Sequence, residues 1–176
     1  MRIQKEYASE RIILRPINDE DTMHIVAWRN KECVRKNFVF QEIFTEEIHR
    51  NWLKTKVACG KVEQFVILET SSRKPIGSVY LRDIDYSQKT AEYGIFIGED
   101  TAVGKGYGTN AAKLMLEIAF GELKLEKVYL RVYMDNKAAI RCYEKVGFIH
   151  TQQKEMVTNK DGRERMLIFM EKLVEK

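Results

Sequence analysis

Glycines at alternating positions in Val103-Gly104-Lys105-Gly106-Tyr107-Gly108-Thr109-Asn110 carry the clearest chemical meaning in this chain. An apolar, β-rich run, Ile95-Phe96-Ile97-Gly98, leads into them, and helix-forming sequence follows. A loop that opens a helix presents unpaired backbone N–H groups, and glycines let an anion approach that backbone closely. The segment therefore predicts a site for a pyrophosphate-bearing cofactor. It does not fit the nucleotide P-loop, Gly-x-x-x-x-Gly-Lys-Ser/Thr, because Lys105 sits between glycines with no Ser or Thr correctly placed after it. Nor does it fit the dinucleotide fingerprint, which belongs early in a chain and has different glycine spacing. By the residues alone, a plain glycine turn remains an open alternative.

Two further titratable side chains stand on the elements that flank this loop in the chain. Tyr143 falls on a helical segment that Asn136 can cap, and by the residues alone it reads as a half-buried aromatic on a helix face. Glu92 lies on the strand leading into the apolar run, either as a general base or as a solvated strand glutamate. Glu69, Asp83 and Asp85 are further carboxylates of the same region. His24, His49 and His150 show no metal-ligand spacing, so no metal is expected. The cysteines, Cys33, Cys59 and Cys142, are odd in number and form no Cys-x-x-Cys pair, which argues against a disulfide framework or zinc site. Cys142 adjoins Tyr143 but belongs to another helix face, as a packing residue.

The elements that must position these groups are legible from punctuation and period. Residues 11–16 predict a first strand, stopped by Pro16. Asn18 caps a helix through Met23, Ile25, Val26 and Ala27 to Trp28, with Asp19, Glu20 and Asp21 in its first turn. A second helix starts after Thr45, with Ile48, Trp52 and Leu53 on one side. Residues 65–69 and 76–82 form a hairpin around the turn 71–75, and 90–97 forms another strand. After the glycine loop, Ala112, Met115, Leu116 and Ala119 recur with helical spacing up to about Gly121. A strand over 127–133 precedes the Asn136-capped helix, which Gly147 ends. A strand from Phe148, an Asp161-Gly162 turn and a strand over 166–173 close the chain. The order predicts a mixed α/β fold with a largely antiparallel sheet and a crossover near its middle.

Composition limits what such a fold can do. At 176 residues the chain suits one domain spanning 1–176. A net charge of +4, from 30 basic and 26 acidic residues, is too mild for a nucleic-acid partner and suits an anionic small ligand. No apolar leader or spanning run is present, so neither a signal peptide nor a membrane partner is expected and the default location is the cytoplasm.

Two blocks together resemble the GNAT superfamily of acyl-coenzyme A N-acyltransferases. Val103-Gly104-Lys105-Gly106-Tyr107-Gly108 is similar to the family's [QR]-x-x-G-x-[GA] loop, with Val103 where the family usually has Gln or Arg. Residues 136–148 are similar to N-x-x-A-x-x-x-Y-x-x-x-G-F. The resemblance implies an acetyl-CoA-dependent N-acetyltransferase on a sheet splayed at its crossover. Backbone amides from Gly104, Lys105, Gly106, Tyr107, Gly108 and Thr109 would bind the pyrophosphate. Ile95, Phe96 and Ile97 would pair with the pantetheine arm as a neighbouring strand does, and Asn136 would reach it from the other side. Tyr143 would be the general acid, and Glu92 or a water chain would take the amine's proton. Acetyl transfer would pass directly to the amine through a tetrahedral intermediate.

The N-terminal helices resemble those of ribosomal-protein and spermidine acetyltransferases. Trp28-Arg29-Asn30 and His49-x-x-Trp52 also resemble amino-sugar nucleotide N-acetyltransferases. Trp28, Arg29 and His49 thus become candidate acceptor contacts, with helix packing or surface positions as the alternative. The acceptor expected is a small-molecule or peptide amine: a protein N-terminus, a polyamine or an amino sugar. A homodimer is compatible with this layout, as is a non-catalytic acyl-CoA-binding sensor or scaffold on the same fold.

Overall fold

The computed structural model describes residues 3–175. Its strands are β1 (Tyr7–Ala8), β2 (Ile12–Pro16), β3 (Val62–Glu69), β4 (Pro75–Asp85), β5 (Thr90–Ile97), β6 (Lys127–Tyr133), β7 (Ile149–Thr158) and β8 (Glu164–Leu173). The helices are α1 (Thr22–Asn30), α2 (Glu32–Arg35), α3 (Glu46–Trp52), α4 (Tyr107–Glu117) and α5 (Lys137–Lys145). The strands form one sheet in the order β1-β2-β3-β4-β5-β6-β8-β7. Every neighbouring pair is antiparallel except β5 and β6, which the α4 crossover joins in parallel.

That parallel pair is short. Only Thr90↔Lys127, Ala91↔Val128 and Glu92↔Tyr129 are matched. Beyond them β5 continues to Ile97 bonded to β4, while β6 continues to Tyr133 bonded to β8. The sheet therefore splays after Glu92, leaving two strand edges facing across a wedge, as the crossover implied.

Both faces of the sheet are covered. One packs Ile12, Leu14, Phe65, Val79 and Leu81 against Ala111, Ala112 and Met115 of α4 and Ile140 of α5. The other packs Ile13, Val62, Val66 and Leu68 against Ile25 and Trp28 of α1. β3 is buried from Val62 to Leu68, which is why its second half, Phe65 to Leu68, reads as a continuous apolar run and not an alternating one.

Local signals hold at the helix starts. The Asn18 side chain accepts from Glu20 N and the Asp21 side chain accepts from Asn18 N, so the capping box falls on a 3₁₀ turn just before α1. Thr45 accepts from Ile48 N, and Asn136 accepts from Ala139 N. Two short elements, β1 and α2, have no counterpart in the sequence reading; each is below the length at which periodicity shows.

The buried face of α3 differs from expectation. Ile48 is exposed, and the inward position is His49, 1% exposed, flanked by Trp52 and Leu53. His49 Nδ1 lies 2.9 Å from Thr22 Oγ1, and its ring lies 6.2 Å from that of Phe44. Its Nε2 is buried without a partner. Burial lowers its pKa from 6.5 to about 4, against the opposing pull of Asp21 and Asp19. The unfolded chain thus takes up this proton at higher pH than the native state does. The His49 contribution is complete above the unfolded value and is lost as pH falls from 6.5 towards 4, by about 3 kcal/mol. Urea denaturation at pH 7, 5.5 and 4 should show this slope, and His49→Gln should flatten it. An unchanged slope in that variant would assign the pH dependence to other groups.

Candidate acetyl-transfer site

The glycine loop has the backbone that an anion cradle needs. Gly104 and Gly106 have φ of +76° and +82°, and Gly106 forms the left-handed cap of α4. A Cβ at Gly104 would meet nothing within 4 Å, so open space lies before this backbone. Asn110 N closes the first bond back to Gly106 O, which leaves the N–H groups of Tyr107, Gly108 and Thr109 at the helix start without intrahelical acceptors. The α4 dipole adds partial positive charge there. The Tyr107 side chain turns away: its hydroxyl donates to Glu69 Oε1 at 2.5 Å, beneath the Arg11 guanidinium. Tyr107 thus offers its backbone, not its ring, to a ligand. Thr109 Oγ1 lies 3.3 Å from Cys142 Sγ, tying the loop end to α5.

Tyr143 stands where α5 meets the wedge. Its ring is edge-on to Tyr93 at 5.8 Å and to Phe148 at 5.9 Å, and it is 8% exposed. Its hydroxyl makes no hydrogen bond with any described residue. Burial pushes its pKa well above the usual tyrosine value, with Cys142 and Tyr80 adding to the effect, so it remains a neutral phenol in neutral solution. Ile95 and Ile97 pack on the α4 face, and Phe96 packs on the opposite face beside Trp28 and Phe38. Asn136, half-buried just past the end of β6, is engaged through its carbonyl in capping α5.

Glu92 occupies the apex of the wedge, at the last parallel pair. Its Oε1 accepts from Arg82 Nη2 at 2.8 Å and from Arg131 Nε at 3.0 Å, and its Oε2 accepts from Arg131 Nη2 at 3.4 Å. One buried carboxylate thereby joins β4, β5 and β6 where the sheet begins to part. Both oxygens accept from guanidinium donors, so Glu92 ties three strands together, at the position where the sequence suggested either a general base or a solvated strand glutamate. Arg82 and Arg131 went unrecognised in the sequence, since no local pattern links positions 82, 92 and 131.

Tyr80 was also missed. It is paired with Gly94, and a Cβ at Gly94 would fall 2.3 Å from the Tyr80 ring. The ring therefore lies across the β5 backbone at the wedge. Gly94→Ala should displace that ring and cost about 1–3 kcal/mol, measurable by chemical denaturation. An unchanged midpoint would mean that the ring moves aside freely.

The structure separates the three expected acceptor contacts. Trp28 is buried: its Nε1 donates to Glu99 Oε1 at 2.6 Å, and a Cβ on Gly98 would fall 2.1 Å from its indole. It anchors the approach to the glycine loop. His49 is sealed in the second core. Arg29 is buried too, with its guanidinium 3.3 Å from the Phe38 ring centroid and 4.9 Å from that of Phe44. A separate cavity of about 530 Å³, lined by His24, Lys74, Glu99 and Thr101, shares Lys105 and Tyr107 with the glycine loop but none of the residues around Tyr143. Among the described residues, no three His, Cys, Asp or Glu side chains are grouped to hold a metal. No helix among them is long and apolar enough to cross a membrane.

Comparison with known proteins agrees with this geometry. The sequence model described as Acetyltransferase (GNAT) domain matches residues 11–149. Spermidine N(1)-acetyltransferase of Escherichia coli K12 is 33% identical over 135 residues, covering 77% of this chain and 71% of the relative. Alpha/beta-tubulin-N-acetyltransferase 9 of Drosophila melanogaster is 31% identical over 159 residues, covering 83% and 79%. The crystal structure of spermidine N-acetyltransferase from Vibrio cholerae, in complex with CoA and spermine, superposes with a TM-score of 0.83 at 23% identity, covering 94% of this chain and 96% of that one. This last likeness is one of fold. With the splayed sheet, the glycine cradle and Tyr143 in one place, and with a family match across most of its length, the chain belongs to the GNAT acetyltransferases.

Proposed function

We propose that this chain moves an acetyl group from acetyl-CoA directly to a primary amine. The observation that carries the proposal is the divergence of β5 from β6 after Glu92, with the unbonded Tyr143 hydroxyl at the opening. The free edge of β5 supports backbone pairing with a pantetheine arm along Ile95, Phe96 and Ile97, with Asn136 opposite. The N–H groups from Gly104 to Thr109 suit the pyrophosphate.

In this reading the amine lone pair attacks the thioester carbonyl carbon, and its electrons pass to the carbonyl oxygen. An N–H on the open β5 edge stabilises that oxyanion. Collapse of the tetrahedral intermediate breaks the carbon–sulfur bond, and Tyr143 donates its proton to the departing thiolate. The amine's proton leaves through water, because Glu92 is held by two guanidiniums. A thiol has a pKa near 8.5, so proton donation from a buried phenol is uphill and its contribution is modest.

Relatives named for acting on a polyamine, on tubulin and, in Klebsiella pneumoniae, on an aminoglycoside share only an amine nucleophile. We place the activity in the whole 176-residue chain as one domain, and in a reducing cytoplasm, in keeping with the free Cys33, Cys59 and Cys142. Release of free thiol from acetyl-CoA against a panel of spermidine, basic N-terminal peptides, aminoglycosides and amino-sugar nucleotides tests the reading. Turnover with any class supports it. Tight CoA binding without turnover on any amine would overturn it in favour of an acyl-CoA sensor.

A further inference from the structure

We infer, on the premise that the chain is an N-acetyltransferase, that its acceptor amine carries an anionic group and that the Arg29 guanidinium holds that group. Arg29 is 8% exposed and makes no ion pair or hydrogen bond with any described residue. A guanidinium taken out of water without a counter-charge is costly, and buried arginines are ordinarily paired. Burial lowers its pKa to about 10, aided by Arg82 and opposed by Tyr80, so it is still cationic in neutral solution. Its nitrogens are not sealed: among the described residues, the fully buried side-chain atoms left without a partner are Tyr7 Oη, His49 Nε2 and Tyr93 Oη. Arg29 is thus an unsatisfied cation that a ligand can still reach. The Phe38 and Phe44 rings hold the plane of its planar fork, whose donor geometry matches a carboxylate or a phosphate.

Its location links it to the transfer chemistry. Arg29 lies in the last turn of α1, on the sheet face that carries Tyr80, Arg82 and Glu92. Tyr80 links the two regions: its ring crosses Gly94 at the wedge, and it lies within electrostatic reach of Arg29, Arg82 and Arg131 and also of Tyr143. Three guanidiniums, Arg29, Arg82 and Arg131, stand in this region against two carboxylates: Glu92, shared by Arg82 and Arg131, and Asp83, 3.8 Å from Arg82. The surplus is positive. A polycation would meet repulsion here and would need a carboxylate cluster. Of the acids of the bordering segments, Asp21 pairs with Arg15, Asp19 and Glu46 with Arg50, and Glu42 with Lys160, while Glu20, Glu32 and Glu47 hold no ion pair with a described residue.

The test compares matched amines that differ by one anion, glucosamine against glucosamine 6-phosphate, together with an amino-sugar nucleotide, β-alanine and spermidine. The native protein should favour the anionic member of the glucosamine pair, and Arg29→Met should erase about 10²-fold of that preference, mainly through KM. Arg29→Lys, which keeps the charge but not the fork, should retain part of it and serves if the methionine variant does not fold. Preference for spermidine over every anionic amine, or an equal loss on both members of the pair, would overturn the inference. Calorimetric titration of UDP and of inorganic pyrophosphate into the CoA-saturated protein provides a readout without turnover. Binding weakened by Arg29→Met while no amine is acetylated would remove the transferase reading and leave the anion site standing. Binding indifferent to that substitution would remove the anion site. The phosphorylated, nucleotide-linked and carboxylated amines then tell which anion is meant.

Discussion

Tyr143→Phe should lower kcat by about 10²-fold, with little change in the affinity for CoA. The substitution removes one oxygen from a ring whose contacts to Tyr93 and Phe148 are retained, so folding should be undisturbed. What is lost is the α5 hydroxyl that the proposed mechanism uses to protonate the leaving thiolate. The loss is bounded because a thiolate is a fair leaving group on its own, and because the buried phenol is a weak acid. Steady-state rates against a saturating amine, with CoA affinity from thermal shift, check this. A kcat within twofold of the native value would reduce Tyr143 to a packing residue. A matching loss of CoA affinity would make it a binding group instead.

Glu92→Gln should destabilise the fold by about 3 kcal/mol, because it leaves Arg82 and Arg131 facing each other without their shared carboxylate in a poorly solvated place. The same change should raise the KM for acetyl-CoA, since Glu92 stands at the point where β5 and β6 part and so fixes the opening of the wedge. Removing one of the two cations should recover part of the loss: Glu92→Gln with Arg131→Met should be more stable than Glu92→Gln alone, a coupling that a double-mutant cycle measures. A general base would behave otherwise. Its removal would leave the unfolding midpoint in place and abolish the acidic limb of the kcat profile. That pattern would return Glu92 to the base role that the sequence suggests.

These two residues show how far local chemistry carries. Tyr143 stood out because its neighbours on one helix, from the Asn136 cap to Gly147, form a continuous block similar to the family pattern; its role remains the proposal made above. Glu92 was legible as a carboxylate on the strand before the glycine loop, but its partners come from two other strands. Those partners, which no local pattern announces, are what give it a structural role beside the base role proposed from sequence. Arg29 stood out beside Trp28 in the sequence, and both are buried, but only their bonding separates them: the indole hydrogen-bonds Glu99, while the guanidinium has no hydrogen-bond or ion-pair partner among the described residues.

The sequence by itself determined the punctuation of this protein. Caps at Asn18, Thr45 and Asn136, the glycine cradle before α4 and the Asp161-Gly162 turn are short-range matters, set by hydrogen bonds and φ preferences within a few residues. It also determined the order of the elements, because apolar period is a property of contiguous residues. Only the tertiary structure decided what those elements bring together. Register across the sheet set Tyr80 opposite Gly94 and Arg82 opposite Glu92, packing of α1 and α3 turned His49 inward in place of Ile48, and the three-residue match of β5 with β6 opened the wedge. Each of these joins residues ten or more positions apart, and no local propensity encodes such a pairing. It arises when separate apolar faces are buried together and the polar groups trapped between them must find partners, or, as at Arg29, are left to find one outside the chain.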